Sequence, residues 1–132
     1  MTENPTCIAL LLCDLVIDDK RSNNKSYIGA FNAIFAPALP CAHPRFTILV
    51  SVTNLIGIHE LTLTIKSPSD KKVFESKGPA ESPNPLQVVD MIFEILGFPV
   101  EEEGTYFIDA FCDGFHVGTR RFQVFVNPPA SA

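Results

Sequence analysis

From residue 45 to residue 54 the chain alternates with a period of two. Phe46, Ile48, Val50 and Val52 point one way and Thr47, Leu49, Ser51 and Thr53 the other, the pattern of a half-buried strand. Residues 59–66 repeat it, with Leu61, Leu63 and Ile65 opposed to Glu60, Thr62, Thr64 and Lys66. The short link 55–58 between them favours a hairpin, and the turn 67–70 leads to a third strand at 72–76, completing a meander. Upstream, residues 7–17 are apolar on both faces until Asp14, as a strand covered on both sides would be. A polar turn, 18–26, returns the chain into a strand at 27–36, where Gly29 marks a bulge or a close backbone approach. The proline-rich stretches 37–44 and 77–85 read as loops, because proline cannot donate to a ladder. Residues 86–96 fit either a helix face (Leu86, Val89, Ile92, Phe93, Leu96) or a strand face (Val89, Met91, Phe93, Ile95). Their β-branched and aromatic content and their neighbours favour the strand.

The C-terminal segment 101–126 contains a conflict. Asp113-Gly114 is a two-residue hairpin signal, and regular pairing from it would oppose Cys112 to Phe115 and Tyr106 to Arg121. Tyr106, Ile108, Ala110 and Cys112 would then share a face with Arg121 and Gln123, while Phe122, Val124 and Val126 shared one with Asp109. One extra residue in one strand restores agreement, which predicts a bulge near Gly118 or a turn one residue wider than the dipeptide suggests. With the phases matched, Phe107, Phe111 and Phe125 stand on the outer face beside Asp109, Arg121 and Gln123. Three rings there would make an apolar patch rimmed by charge, the kind that marks protein contacts. Alternatively the segment 77–85 or the N-terminal strand packs over them.

Several short strands between turn signals, with no sustained helical period, predict an all-β sandwich of about 7–8 mostly antiparallel strands. At 132 residues the chain makes one domain, residues 1–132, with a core of about 7–126 and short disordered termini. Eleven Phe against two Tyr and no Trp add to the picture, since phenyl rings lack a polar handle and most of them need burial. Net charge is −5, and the basic residues cluster no further than the pairs 20–21, 71–72 and 120–121. Nucleic acid, which needs a basic stripe, is not expected as a partner. The apolar run 7–13 lacks a basic flank and is too short to span a bilayer. Nor does it fit a lipoprotein cleavage site, because Leu12 stands where a small residue is needed before Cys13. No membrane association and a cytoplasmic location are therefore expected, with Cys7, Cys13, Cys41 and Cys112 reduced.

The Gly104-Thr105-Tyr106 start of the penultimate strand is similar to the tyrosine corner of immunoglobulin-like sandwiches. With Cys13-Asp14, the stretch 27–32 and Gly57-Ile58-His59, it resembles a family of short bacterial proteins of unknown function. The resemblance spans roughly residues 7–126 and implies an immunoglobulin-like sandwich without the Cys…Trp…Cys core of antibody domains. It brings no catalytic residue.

Candidate chemistry is sparse. His43, His59 and His116 are far apart in sequence, and with Cys41 and Cys112 they match no zinc template; among them His59 and His116 are the candidates for a ligand or metal. Cys41 and His43 lie two apart in a proline loop, which does not supply the geometry of a nucleophile and its base. Asp14, Asp18 and Asp19 lack the spacing of a calcium loop, and 101–103 reads as a solvated acidic loop. There is no phosphate-binding loop, dinucleotide fingerprint or nucleophile elbow. The sequence thus points to a non-enzymatic domain without cofactor that acts through a protein partner or as a homo-oligomer, with Phe107, Phe111, Phe125 and Arg121 as interface candidates. A ligand- or metal-binding sandwich with weak hydrolytic activity is the alternative, and a secreted structural domain rests on the even cysteine count alone.

Overall fold

The structure, a computed structural model, describes residues 5–126. Residues 1–4 and 127–132, where disordered termini were expected, lie outside the described residues. Ten strands and no helix are found among the described residues. β1 (Thr6–Cys13), β5 (Cys41–Thr53) and β8 (Val89–Val100) form one sheet in the order β1-β5-β8. β4 (Ala33–Ala36), β10 (Phe115–Val126), β9 (Gly104–Cys112), β6 (Gly57–Lys66) and β7 (Lys72–Ser82) form the other, in that order. β2 (Leu15–Asp19) and β3 (Asn24–Ile28) make a separate hairpin. β1-β5-β8 correspond to the A-B-E strands and β10-β9-β6 to the G-F-C strands of an immunoglobulin-like sandwich, with β4 and β7 added at the two edges of the second sheet. All neighbours are antiparallel except β4 and β10.

The core lies between the sheets and is built on aromatic rings. Phe46 from one sheet and Tyr106 and Phe122 from the other meet Phe98, with ring centroids 5.1–6.4 Å apart. All four are fully buried, which accounts for part of the phenylalanine excess. Tyr106 alone among them has a hydroxyl, and it donates to the Glu102 carbonyl at 2.9 Å. A buried hydroxyl without such a partner would be destabilising, and this bond completes the tyrosine corner at the start of β9.

The segment 86–96 holds a strand, as expected, and its predicted face, Val89, Met91, Phe93 and Ile95, lies opposite the inward residues Val52, Val50, Ile48 and Phe46. It begins at Val89 and continues to Val100. Past Leu96 the inward set changes phase to Phe98 and Val100. Pro44 and Gly97 cause this: the register passes from Arg45↔Leu96 to His43↔Phe98 and leaves both out of the ladder, with Gly97 at φ 61°. The C-terminal hairpin has its predicted irregularity, between His116 and Gly118, and Tyr106 pairs with Phe122. Asp113 and Gly114 have φ of 51° and 85°, as the tight turn requires.

Several segments differ from expectation. The link 55–58 closes no hairpin and the expected meander is broken, because β5 and β6 lie in different sheets and this link crosses from one to the other. The stretch 77–82 belongs to β7, because β7 is an edge strand and Pro79 needs no donor on its open side. Residues 41–44 likewise extend β5 along β8 alone. The stretches 7–17 and 27–36 are each divided, since β1 ends at a bend at Asp14 and the chain turns at Gly29. Gly29, at φ +72°, lies so close to Asp14 that a Cβ there would fall 2.2 Å from the carboxylate oxygen. The β2–β3 hairpin then lies against the outer face of the smaller sheet, where Lys25 reaches Asp90 at 3.6 Å. That cover is why Leu49, on the outward side of β5, is only 1% exposed.

Candidate functional site

The outer face of the five-stranded sheet carries the predicted aromatics, each in different company. Phe107 on β9 stands between Arg121 of β10 and Lys66 of β6 and is 39% exposed. Phe111 stands between His116 and Thr62, its ring edge-on to the imidazole at 5.4 Å. Phe125 lies past the last β9–β10 pair, Val124↔Gly104, and stacks on Phe35 of β4 at 5.6 Å. These two rings are 45% and 59% exposed. The three predicted rings therefore do not form one patch: Asp109 separates Phe107 from Phe111, and Phe125 is carried to the sheet edge. Neither 77–82 nor β1 covers them, since the first is the far edge of the same sheet and the second belongs to the other sheet. Phe35 was not singled out in the sequence; only the parallel pairing Phe125↔Phe35 brings it in.

Around the rings, charges of both signs alternate. Lys66, Lys77 and Arg121 share the face with Glu60, Glu75 and Asp109, as the pairings Lys77↔Thr62, Glu75↔Thr64 and Asp109↔Thr64 require. Phe111 with Glu60, Thr62, Lys77 and others lines a shallow hollow of about 370 Å³.

His59 and His116 do not meet in one site but each has an aspartate. His116 Nε2 lies 2.8 Å from Asp109 Oδ1 and 2.8 Å from Thr119 Oγ1, while the Thr119 hydroxyl donates to the same Asp109 oxygen at 2.5 Å. A carboxylate oxygen only accepts, so Nε2 is the protonated nitrogen and the threonine proton is already directed at Asp109. This arrangement locks the outer faces of β9 and β10 together.

His59, at the start of β6, has acceptors on both ring nitrogens. Nδ1 is 2.5 Å from Asp113 Oδ2 and Nε2 is 2.8 Å from the Ile56 carbonyl. Both nitrogens must donate to satisfy this pattern, which selects the imidazolium. Its pKa is raised, first by the Asp113 carboxylate and then by the Ile56 carbonyl. Asp113 is correspondingly lowered, by His59 and by the Glu60 N–H, which donates to Oδ1 at 2.8 Å. Cys112 adds a thiol, so that one ligand atom from each of His59, Cys112 and Asp113 lies within 4.8 Å of the others. A metal would need His59 to give up a proton and one of its two acceptors, and Cys112 to ionise, although burial and then the Asp113 charge push that thiol up. His59 and Asp113 as placed make an ion-pair clasp between the β9–β10 turn and β6. Sequence reading noted Asp113 only as a turn residue; 54 positions separate it from His59, and only the sheet brings the two together.

The remaining candidates are structural. The His43 ring packs against Phe46 and Phe31 at 5.7 and 6.4 Å and Cys41 is half-buried. Asp18 pairs with Lys25 at 3.5 Å, and Asp19 accepts the Arg21 N–H in the hairpin turn. The acidic run 101–103 is more engaged than a solvated loop, since Glu102 accepts from Ser69 Oγ and Glu103 from the Val126 N–H. All four cysteines are free, and burial raises Cys7 and Cys13 as it does Cys112.

A family model described as a family of unknown function (DUF6941) matches residues 8–125. The chain belongs to that family. No curated protein sequence matches it. Among solved structures, the chain superposes over 92% of its length on the alkylpurine DNA glycosylase AlkC of Pseudomonas fluorescens, bound to DNA containing an abasic site analog, with a TM-score of 0.52 and 10% identity. It spans only 30% of that protein. A mutant β-glucosidase from Listeria innocua in complex with laminaribiose is similar over 94% of this chain and 16% of its own, with TM-score 0.50 and 10% identity. An immunoglobulin-like protein from Pseudomonas aeruginosa is similar over 93% of this chain and 98% of its own, at 12% identity and TM-score 0.48. At such identities the two higher-scoring likenesses show a shared fold and nothing of activity. No helix among the described residues is long and apolar enough to cross a membrane.

Proposed function

We propose that the domain is a non-enzymatic, cytoplasmic protein-contact module that pairs with a second copy of itself through the outer face of the five-stranded sheet. The observation that carries this is the exposure of Phe107 and of the Phe35–Phe125 stack on a face where positive and negative side chains balance. The whole chain has a net charge of −5 and would repel its copy elsewhere, whereas this face can meet its equal with Lys66 and Arg121 opposite Glu60 and Asp109. A non-catalytic reading is supported by the two histidines, each held by an aspartate, and by the Cys7, Cys13 and Cys112 thiols, which burial pushes up. Free cysteines accord with a reducing compartment.

Light scattering across a concentration series tests the pairing. The parent protein should run as a dimer or larger assembly, and the double variant Phe107→Ser/Phe111→Ser as a monomer with its cooperative unfolding retained. A parent that stays monomeric at every concentration would sink the proposal, as would a double variant that loses its fold, since the rings would then belong to the core.

A further inference from the structure

Where β6 begins and β9 ends, His59, Cys112 and Asp113 all line one cavity of about 380 Å³, with Pro5, Phe115, His116 and Val117 around it. Strand alternation brings them there. Cys112 pairs with Leu61, whose side chain is in the core, and His59 lies two residues before Leu61, so all three project from the inner face of the sheet. Asp113 follows Cys112 in the turn. The His116 Nε2 is engaged elsewhere, by Asp109 and Thr119.

His59 and Asp113 are each held by one atom and aim the other at a common point. The His59 Nε2–H donates to the Ile56 carbonyl at 2.8 Å, which leaves Nδ1 facing Asp113. The Glu60 N–H donates to Asp113 Oδ1 at 2.8 Å, which leaves Oδ2 facing His59. A backbone carbonyl on the far nitrogen of a histidine and a hydrogen bond on the far oxygen of a carboxylate are the supports that metal ligands carry. Nδ1 and Oδ2 are 2.5 Å apart with a proton between them, and Cys112 Sγ lies within 4.8 Å of both. Zinc bonds of about 2.0–2.2 Å to nitrogen and oxygen and about 2.3 Å to sulfur set tetrahedral ligands about 3.4–3.6 Å from one another. Asp113 Oδ2 must therefore move out by about 1 Å and the sulfur in by about 1 Å at most. The Asp113 side chain, 46% exposed, has room to do so. Charge also balances: Zn²⁺ displaces one proton from His59 and one from Cys112, and a thiolate, a carboxylate and a neutral imidazole then surround it with no net charge to bury.

We propose that His59 Nδ1, Asp113 Oδ2 and Cys112 Sγ bind one zinc ion, which takes the place of the proton between the first two and keeps a fourth position open to the cavity for water. A thiolate among the ligands disfavours Mg²⁺ and Ca²⁺, and the mixed nitrogen, sulfur and oxygen set suits zinc. The His59–Asp113 clasp is the metal-free form of the site. Neither form involves the Phe107 and Phe111 contact.

Isothermal titration of the whole, untagged protein with ZnCl₂ tests this, with Co²⁺ as a spectroscopic probe of the same site. One ion per chain should bind with micromolar or tighter affinity, and the cobalt form should show the near-ultraviolet thiolate-to-metal charge-transfer band. Asp113→Asn, His59→Gln and Cys112→Ser should each weaken zinc binding about a hundredfold or more, because even groups that only orient a ligand are worth about 10–100-fold. The first of these keeps the turn, so its loss cannot be put down to misfolding; should Cys112→Ser fail to fold, Cys112→Ala, which buries no hydroxyl, replaces it. The cobalt band should vanish in the Cys112 variant, and Phe107→Ser/Phe111→Ser should bind zinc as the parent does, which keeps this test apart from that of self-association. Zinc binding weaker than micromolar, a cobalt band that survives without Cys112, or an Asp113→Asn variant with the parent's affinity would overturn the proposal.

Discussion

The clasp between His59 and Asp113 makes a pH-dependent contribution to stability that one substitution can isolate. Asp113→Asn keeps the turn, because Asn-Gly suits the same positive-φ pair, and keeps an amide oxygen for the Glu60 N–H. What it removes is the charge facing His59. The variant loses one charge-assisted hydrogen bond, nominally about 1.5–3 kcal/mol. The two side chains are 26% and 46% exposed, however, so water screens the pair and the expected loss is about 1 kcal/mol. The sign follows from the two shifts. His59 is raised above its unfolded value of about 6.5, so its share is fully present below that pH and is lost as pH rises through the folded pKa. Asp113 is lowered from its unfolded value of about 3.9, so its share is present above that pH and is lost as pH falls through the folded pKa. The clasp is therefore strongest between about pH 4 and 6.5. Urea unfolding of parent and variant at pH 5 and pH 9, with an NMR titration of the His59 ring, measures this. The difference between the two proteins should be largest at pH 5 and shrink at pH 9. An equal gap at both pH values, or a His59 that titrates at or below about 6.5, would refute the imidazolium assignment.

Two further substitutions test the frame that holds these surfaces. Tyr106→Phe removes the corner hydroxyl while leaving its stacked ring, and should cost about 1–2 kcal/mol, or about 3–8 °C in Tm for a domain of this size; thermal unfolding that matches the parent would show the corner bond to be idle. Gly29→Ala combines a positive φ with a clash on Asp14 and should cost about 1–3 kcal/mol in urea unfolding. Adding Asp14→Ala should recover the steric part and leave the backbone part, and a double variant no more stable than the single would place the strain elsewhere.

Period-two alternation is a local property, and for that reason β6 and the inner faces of β5 and β8 were legible in the amino-acid sequence. The mismatch of phase across Asp113-Gly114 can be found by counting, and it points to the irregularity that lies between His116 and Gly118. Glycine marked the close approach at position 29 but could not name Asp14 as the group approached. What escaped was set by neighbours distant in sequence. Proline ended β7 on paper because its lack of a donor matters inside a sheet, and only the strand order makes β7 an edge where that lack has no cost. Leu49 read as outward and is outward, yet it is buried, because the β2–β3 hairpin lies over that face. Asp113 read as a turn former and Phe35 as one apolar residue among many; sheet pairing gave each its partner, His59 and Phe125. The sequence by itself determined the alternation, the Asp113-Gly114 turn and the bulge beside Gly118, since these depend on residues a few positions apart. Only the tertiary structure decided which edges stay open and which side chains meet, because those depend on where strands far apart in the chain come to lie.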